Sequence, residues 1–492
     1  MSPTPGVVVT TAVRTGPTPA LRAPSGQYFT VGITERGPTD APVKINSMAE
    51  YKRTFGDRVS YSTIYDDLAM FFECGGSQAY AMRATGAAAT VGTHSFQDSG
   101  PSPTLKFDAA NPGAWSTRVS VKIENGTNAS TKKITVLLDG VAAQIVDNID
   151  TPAVAAQKFL NSPLVKVTDL GSATASPGNL PANAAATALS AGNDDRAAVN
   201  AARVEALLPL IKIGLGDGSV SAPGFGAAVH QALIDHADEN RRLAILTMGR
   251  GTSRDDLATA ALALGAANSQ PDTAKTAGLF APWVQVTDGA GGLRALSPEG
   301  FVAAARSKAH DAGGPWQPAA GEQSVSPYVL GLDQEFTHAD HDVLDVANVN
   351  PIRLVSNRIR LYGWNSLSPD DVDYGSLTVG DTLNRITTEC ETRLEPFVFR
   401  TVDGRGQVFS QMRGILIGIL EPMRQAGGLY ENIDEASGDM LDPGYSVSVA
   451  QSDNTTLTLV QNEVHAQVAV RVSPNAEFIM LTITKVGLTA AV

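Results

Sequence analysis

Between residues 207 and 309, apolar β-prone runs alternate with helical stretches, and few folds accommodate that order. Residues 207–215 read as a strand, 227–240 as an amphipathic helix and 242–248 as a buried-type strand. Residues 253–266 form a helix capped by Ser253 or Asp255, 279–286 a strand, and 298–309 a helix opened by Ser297-Pro298. Repeated β–α–β order predicts a parallel or mixed sheet covered by helices, because a crossover between parallel strands needs a helix-length connection. The same layering begins upstream. Residues 27–33 read as a strand, and a short helix capped by Asn46 or Ser47 stops at Gly56. Residues 62–73 form a helix with Ile64, Leu68, Phe71 and Phe72 on one side, followed by a strand over 78–83.

The pattern changes near Gly86. Short strands at 105–107, 118–124, 133–138, 144–146 and 165–167 are separated by Gly, Asn and Pro turns, with a helix over 151–160. Residues 171–196 are Ala, Ser, Gly, Asn and Pro and read as a loop or linker. Since α/β patterning resumes afterwards, this block reads as a β-rich insertion. Further on, residues 353–362 have a strand-like spacing. Two substantial helices span 379–394 and 407–425, the second stopped by Gly427-Gly428, and strands at 445–450, 457–472 and 477–486 close the chain.

The last of these strands, with Ile479, Leu481 and Ile483 on one face, is nearly uncharged. It has two readings: an inner strand of the chain's own sheet, or a strand that pairs across a subunit boundary. A second β-prone segment, containing Val7, Val8 and Val9, lies at the opposite end. It is followed by Arg14-Thr15-Gly16-Pro17-Thr18-Pro19, an extended lead, because prolines fix φ and disfavour helix. The first 34 residues carry Arg14 and Arg22 and no acid, and after Glu477 only Lys485 is charged. Two weakly basic arms on an acidic body favour docking onto a neighbouring copy; the alternative is that strands are simply charge-poor.

With 492 residues, two to four domains are expected. The net charge of −13 argues against a general nucleic-acid binder. Cys74 and Cys390 are the only cysteines, which leaves no disulfide framework or zinc site and fits a reducing compartment. The start of the chain lacks the basic and apolar regions of a signal peptide, and the longest apolar run, 415–420, is far short of the ~20 residues of a membrane span. A cytoplasmic site of synthesis and no membrane insertion are expected.

No chemical motif assembles an active site. Gly214-Leu-Gly216-Asp217-Gly218 follows a candidate strand but lacks the spacing of a nucleotide-binding loop and has no Gly-Lys-Ser/Thr after it. His338-Ala-Asp340-His341-Asp342 is the best metal candidate, yet capping Asp and solvated loop residues explain it better than a ligand set. No nucleophile elbow and no His-Glu-x-x-His is present. Catalytic residues, cofactor-binding residues and metal ligands are therefore all expected to be absent. The rival class is a cytoplasmic α/β enzyme with an accessory β-domain, supported by the β–α–β order alone.

Several stretches together resemble the contractile tail sheath proteins of bacteriophages and related contractile injection machines. They are Pro5-Gly-Val-Val, Glu35-Arg-Gly-Pro-Thr-Asp and Phe71-Phe-Glu-Cys-Gly-Gly-Ser-Gln-Ala-Tyr; in the insertion, Asn111-Pro-Gly-Ala-Trp-Ser; then Gly216-Asp-Gly-Ser-Val-Ser-Ala-Pro-Gly, Ala281-Pro-Trp-Val, Leu296-Ser-Pro-Glu-Gly, Gly314-Pro-Trp-Gln-Pro-Ala-Ala-Gly, Asn348-Val-Asn-Pro-Ile-Arg and Leu361-Tyr-Gly-Trp-Asn-Ser-Leu. Each is weak alone; their order and number make the set specific.

The resemblance implies a mixed α/β, multi-domain chain: an N-terminal arm (1–24), a sheath core in two parts (25–88 and 201–350) interrupted by a β-rich insertion (89–200), an inner domain (351–475) and a C-terminal strand arm (476–492). It implies a non-enzymatic subunit of a virion tail sheath, assembled in the host cytoplasm. Its partners would be further copies of itself in a helical polymer, the tail tube protein, and baseplate and tail-terminator proteins, with no direct nucleic-acid contact. Terminal strands, here Val7, Val8, Val9, Ile479, Leu481 and Ile483, would be exchanged between subunits, and contraction would drive the tube through the host envelope. Tube contacts in such proteins are largely polar; Arg405, Arg413 and Arg424, in and beside the 407–425 helix, are the candidates, the alternative being that they only solvate or cap that helix. The sheath of a tailocin or secretion-type machine is the close alternative.

Overall fold

The computed structural model describes residues 25–270, 273–288, 291–402, 404–477 and 481. The first element, β1 (Gln27–Gly32), is buried along its whole length. β2 (Val43–Ile45) leads to α1 (Met48–Phe55), whose start is set by the Ser47 side chain accepting from the Glu50 N–H. That bond satisfies one of the orphan donors of a first helical turn. Gly56 ends the helix at φ +87°, a conformation that side chains rarely adopt. α2 (Ile64–Glu73) and β3 (Ala79–Arg83) follow.

The next block holds β4 (Thr93–Gln97), β5 (Pro103–Ala109), β6 (Val119–Asn125), β7 (Lys132–Leu138), β8 (Val141–Ile149), α3 (Pro152–Lys158), β9 (Val165–Asp169) and β10 (Ala184–Ala188). The chain then runs through α4 (Ala201–Leu207), β11 (Gly218–Ser221), α5 (His230–Asn240), β12 (Arg242–Thr247), α6 (Arg254–Ala267), β13 (Ala277–Ala281), β14 (Val284–Thr287), β15 (Leu293–Leu296) and α7 (Glu299–Gly313). After β16 (Gly331–Leu332) come α8 (His338–Val346), β17 (Val349–Val355), β18 (Arg358–Leu361), α9 (Leu377–Leu394) and α10 (Gln407–Gln425). The described chain closes with β19 (Asn432–Ile433), β20 (Met440–Asp442), β21 (Tyr445–Ser448), α11 (Thr456–Val460) and β22 (Gln467–Val470).

The centre is an eight-stranded sheet in the order β18-β17-β13-β12-β11-β1-β3-β2. Its six inner strands are parallel, and β18 and β2 are antiparallel edges. Side chains alternate between two cores: Tyr28, Leu243 and Ile245 pack with Phe71 and Phe301 on one face, while Phe29, Val31, Ala244 and Leu246 pack with Leu233, Ile234 and Leu257 on the other. Burial on both faces is why these strands are continuous apolar runs in the sequence.

Strand order reverses between β1 and β11, the place where open α/β sheets usually hold a ligand. Here the start of α2 fills it. A Cβ on Gly32 would lie 2.9 Å from Ile64 Cβ, and one on Gly224 would lie 2.9 Å from Thr63 Oγ1. The β-rich block packs β10-β6-β7-β8 and β4-β5-β9 around a core of its own that includes Phe107, Trp115, Ile123, Ile134 and Phe159. Arg118 at its base is bonded both to Glu35 of the central body and to Asp139.

The mixed α/β class expected from the sequence is the class observed, but several elements differ. Residues 207–215, expected as a strand, form short 3₁₀ turns, and the strand is the following Gly218–Ser221. Pro209 lacks the N–H that a central ladder requires. The expected linker 171–196 contains β10, which pairs with β6 despite its alanine-rich composition. The expected strand 279–286 is divided at Pro282 into β13 and β14, which belong to different sheets. The cluster at 338–342 opens α8 instead of a loop, and 457–472 begins as α11 before β22. The expected strand 477–486 lies outside the described residues apart from Glu477 and Leu481.

Candidate assembly interface

α9 and α10 build a separate apolar cluster. Val408, Phe409, Met412, Leu416, Ile419, Leu420 and Met423 recur at helical spacing along α10 and pack with Ile386, Leu429 and Val449. β21 lies against this helix: the Tyr445 hydroxyl donates to Glu421 Oε2 at 2.9 Å. Arg424 donates to both oxygens of Glu421 and also to Glu431; the bonds that Glu421 accepts, Arg424's first and then those of Gln425 and Tyr445, hold its carboxyl down at about 2. Gly428 faces the Trp316 ring, where a Cβ would come within 2.4 Å of Cδ2.

β21 and β22 form a two-stranded antiparallel ladder with Tyr445 opposite Val470 and Ser448 opposite Gln467. Among the described residues neither strand has a second ladder partner. Such a pair is marginal by itself, and its outer edges carry unpaired N–H and C=O groups. Beside β22 runs a groove of about 1080 Å³. Residues 468–473, 371–376, 378 and 379 are among those that line it. Asp345, Asp371, Asp373 and Glu477 stand in its wall.

The sequence candidates are placed as follows. Val7, Val8, Val9, Ile479 and Ile483 lie outside the described residues, and Leu481 is 80% exposed. Arg405 precedes α10, and Arg413 sits on α10 at the margin of the apolar stripe; both are exposed. Arg424 is held inward by its carboxylate partners, so of the three arginines it has the least freedom to reach another molecule. In the 338–342 cluster, Asp340 caps α8 by accepting from the Thr337 N–H and hydroxyl, and it also pairs with Arg254. His341 is buried against Phe336. Among the described residues no group of three or more His, Cys, Asp or Glu is placed to hold a metal ion, and no helix is long and apolar enough to cross a membrane. The acid-walled groove was not singled out from sequence, although Asp370-Asp371-Val372-Asp373 was a readable charge run.

The sequence matches no protein-family profile and no curated protein. The fold does match solved structures. A sheath tail protein from Listeria innocua has a TM-score of 0.63 at 11% identity, covering 87% of this chain and 89% of that one. One from Desulfitobacterium hafniense has a TM-score of 0.56 at 13% identity, covering 89% and 93%. The contracted helical sheath of the anti-feeding prophage has a TM-score of 0.56 at 15% identity, covering 98% and 99%. This chain has the fold of contractile sheath proteins.

Proposed function

We propose that the chain is the structural subunit of a contractile sheath, polymerising helically around a tube and contracting to drive it through an envelope. The single observation that carries this reading is the β21–β22 ladder, which has no third strand among the described residues, on a body with the sheath fold. Segments containing Val7, Val8, Val9 and Ile479, Leu481, Ile483 are β-prone and charge-poor, so they suit addition to its edges. Exchange of such strands between copies is a heterologous contact, and heterologous contacts that do not close give helical polymers. Subunits tied by exchanged strands can repack between an extended and a contracted arrangement without separating.

In this reading residues 351–475 form the inner, tube-facing domain, 89–200 the outward insertion, and 1–24 and 476–492 the exchanged arms. The partners are other copies of the chain, the tube protein, and baseplate and tail-terminator proteins; the polymer belongs to a virion tail. The role is mechanical, not catalytic, and the filled crevice at the β1–β11 reversal favours this over an enzyme. A second reading, the sheath of an injection machine, is favoured by the near full-length likeness to the anti-feeding prophage sheath.

Negative-stain electron microscopy of the purified chain over a concentration series tests the proposal. Hollow striated tubes are expected, either alone or on addition of tube protein. Small closed particles under both conditions would overturn it.

A further inference from the structure

We infer that copies of this chain also join head to tail through the two ends of α10: Phe399, Arg400 and Arg405 before the helix in one copy dock on the acidic β19–β20 hairpin of the next. This rests on the sheath reading above and adds to it a contact between bodies that uses neither terminal segment.

The two ends are opposite in charge. Between Pro396 and Gly414 the sequence carries Arg400, Arg405 and Arg413 against the single acid Asp403. From Leu429 to Gly444 it carries Glu431, Asp434, Glu435, Asp439 and Asp442 and no cation. Arg424 satisfies Glu431, and Arg471 satisfies Asp442. Among the described residues Asp434, Glu435 and Asp439 make no ion pair, and neither do Arg400 and Arg405. Each end therefore holds unspent charge of one sign.

Both ends also expose apolar side chains. Phe399 is 103% exposed and Val398 beside it is exposed, while Phe397 and Val402 pack on the α10 cluster. Phe399 has φ +64°, a left-handed conformation that bulky residues rarely adopt, so its ring is held in solvent at a conformational cost. On the hairpin, where Ile433 pairs with Met440, the side chains of Ile433, Met440 and Leu441 are exposed. Apolar groups bordered by charge are the make-up of a protein–protein contact.

Place decides the partner. The basic segment runs into the start of α10 at Gly406, and the hairpin is tied to the other end, where Arg424 bonds Glu431 and Met440 Sδ. A helix of 19 residues is about 28 Å long, so the two surfaces are anchored at opposite ends of one element. A second copy supplies at each end the charge and the apolar surface that complement it. A contact between unlike surfaces is heterologous and, repeated without closing, builds a filament. Arg405 then faces another copy, and Arg413 is left to the tube.

The test is polymer formation by full-length variants, read by sedimentation and electron microscopy, with tube protein present if the original chain needs it. Arg400→Glu with Arg405→Glu makes both ends acidic, and Glu435→Lys with Asp439→Lys makes both ends basic. Each pair variant alone should need at least about tenfold more protein to polymerise than the original chain. Phe399→Ser, which leaves every charge in place, should do the same. A chain with all four reversals, and an equimolar mixture of the two pair variants, should polymerise within about threefold of the original concentration, because each restores unlike ends. All five positions are exposed, so melting temperatures should stay within about 2 °C of the original. Polymers at the original concentration from any of the three impaired variants would overturn the inference. So would failure of both the four-fold variant and the mixture to recover, which would assign the arginines to a different molecule such as the tube. Absence of polymers from the original chain under both conditions would instead overturn the sheath reading, and this contact with it.

Discussion

Arg306 of α7 and Asp381 of α9 are locked together in the interior, with Nε to Oδ2 at 3.1 Å and Nη2 to Oδ1 at 2.7 Å. Both side chains are almost wholly buried, and His310 Nε2 lies 3.3 Å from the same carboxylate. The pair joins the helix that covers the central sheet to the helices that carry the β21–β22 ladder. Despite burial, which acts to raise it, the Asp381 carboxyl is held at about 2 by the Arg306 charge and the bonds it accepts.

Asp381→Asn should therefore destabilise the protein by about 3–5 kcal/mol, because it strands a buried guanidinium, while Arg306→Met with Asp381→Leu should cost far less. Urea unfolding of both variants checks this. The stabilisation from Asp381 is present above its unfolded value near 3.8 and is lost as pH falls towards 2.

Gly300 allows α7 to approach α2. A Cβ there would lie 2.2 Å from the Asp67 carbonyl oxygen, which is backbone and has no rotamer with which to yield. Gly300→Ala should cost about 1–3 kcal/mol through overpacking, read as a fall in the urea midpoint without a change in slope.

His236 gives the fold an acid limit. Its Nε2 lies 2.8 Å from Arg242 Nη1, and burial, followed by that charge, pushes the imidazole down to about 3. The unfolded chain takes up this proton below about 6.5 and the folded one only near 3, so stability falls as pH drops through that window, with a slope of about 1.4 kcal/mol per pH unit. His236→Gln should flatten the slope in unfolding measured from pH 7 to 4.

Arg413 is exposed at the margin of the apolar stripe of α10 and, among the described residues, makes no ion pair. Arg413→Glu should leave the melting temperature within about 2 °C of the original, as for a surface substitution, and abolish decoration of tubes. Unaltered decoration would remove it from the tube contact.

Deleting residues 1–15 should leave folded bodies and abolish ordered polymers, and Leu481→Asp should do the same, whereas Lys485→Ala should assemble normally. Sedimentation velocity with electron microscopy separates these outcomes. Normal polymers from the truncated chain would end the exchange proposal for that arm.

Residues 27–32, 48–55, 242–247 and 407–425 were legible because their information is local: a buried run, a Ser47 cap, a Gly56 stop, an apolar face at helical spacing. The departures have two sources, a distant partner that outweighs local preference and a proline inside the run itself. Alanine-rich 184–188 becomes a strand because β6 offers an edge, and 279–286 is cut in two because Pro282 cannot donate to a ladder. Of the candidate site, the charge-poor segments and the arginines could be named from the sequence. Their surroundings could not, since Arg424, paired with Glu421 within α10, finds Glu431 only once the helix and the segment after it have folded together.

By itself, then, the sequence determined the α/β layering, the β-rich interruption and the low charge of the terminal segments, because periodicity, capping and composition act within one or two turns of chain. Only the tertiary structure decided that β1 stands beside β11, that α2 fills the crevice between them, and that β22 shares a groove with Asp371 and Asp373. Pairing depends on loop closure between residues hundreds of positions apart, and periodicity, which specifies which face is apolar, does not specify which strand lies next to it.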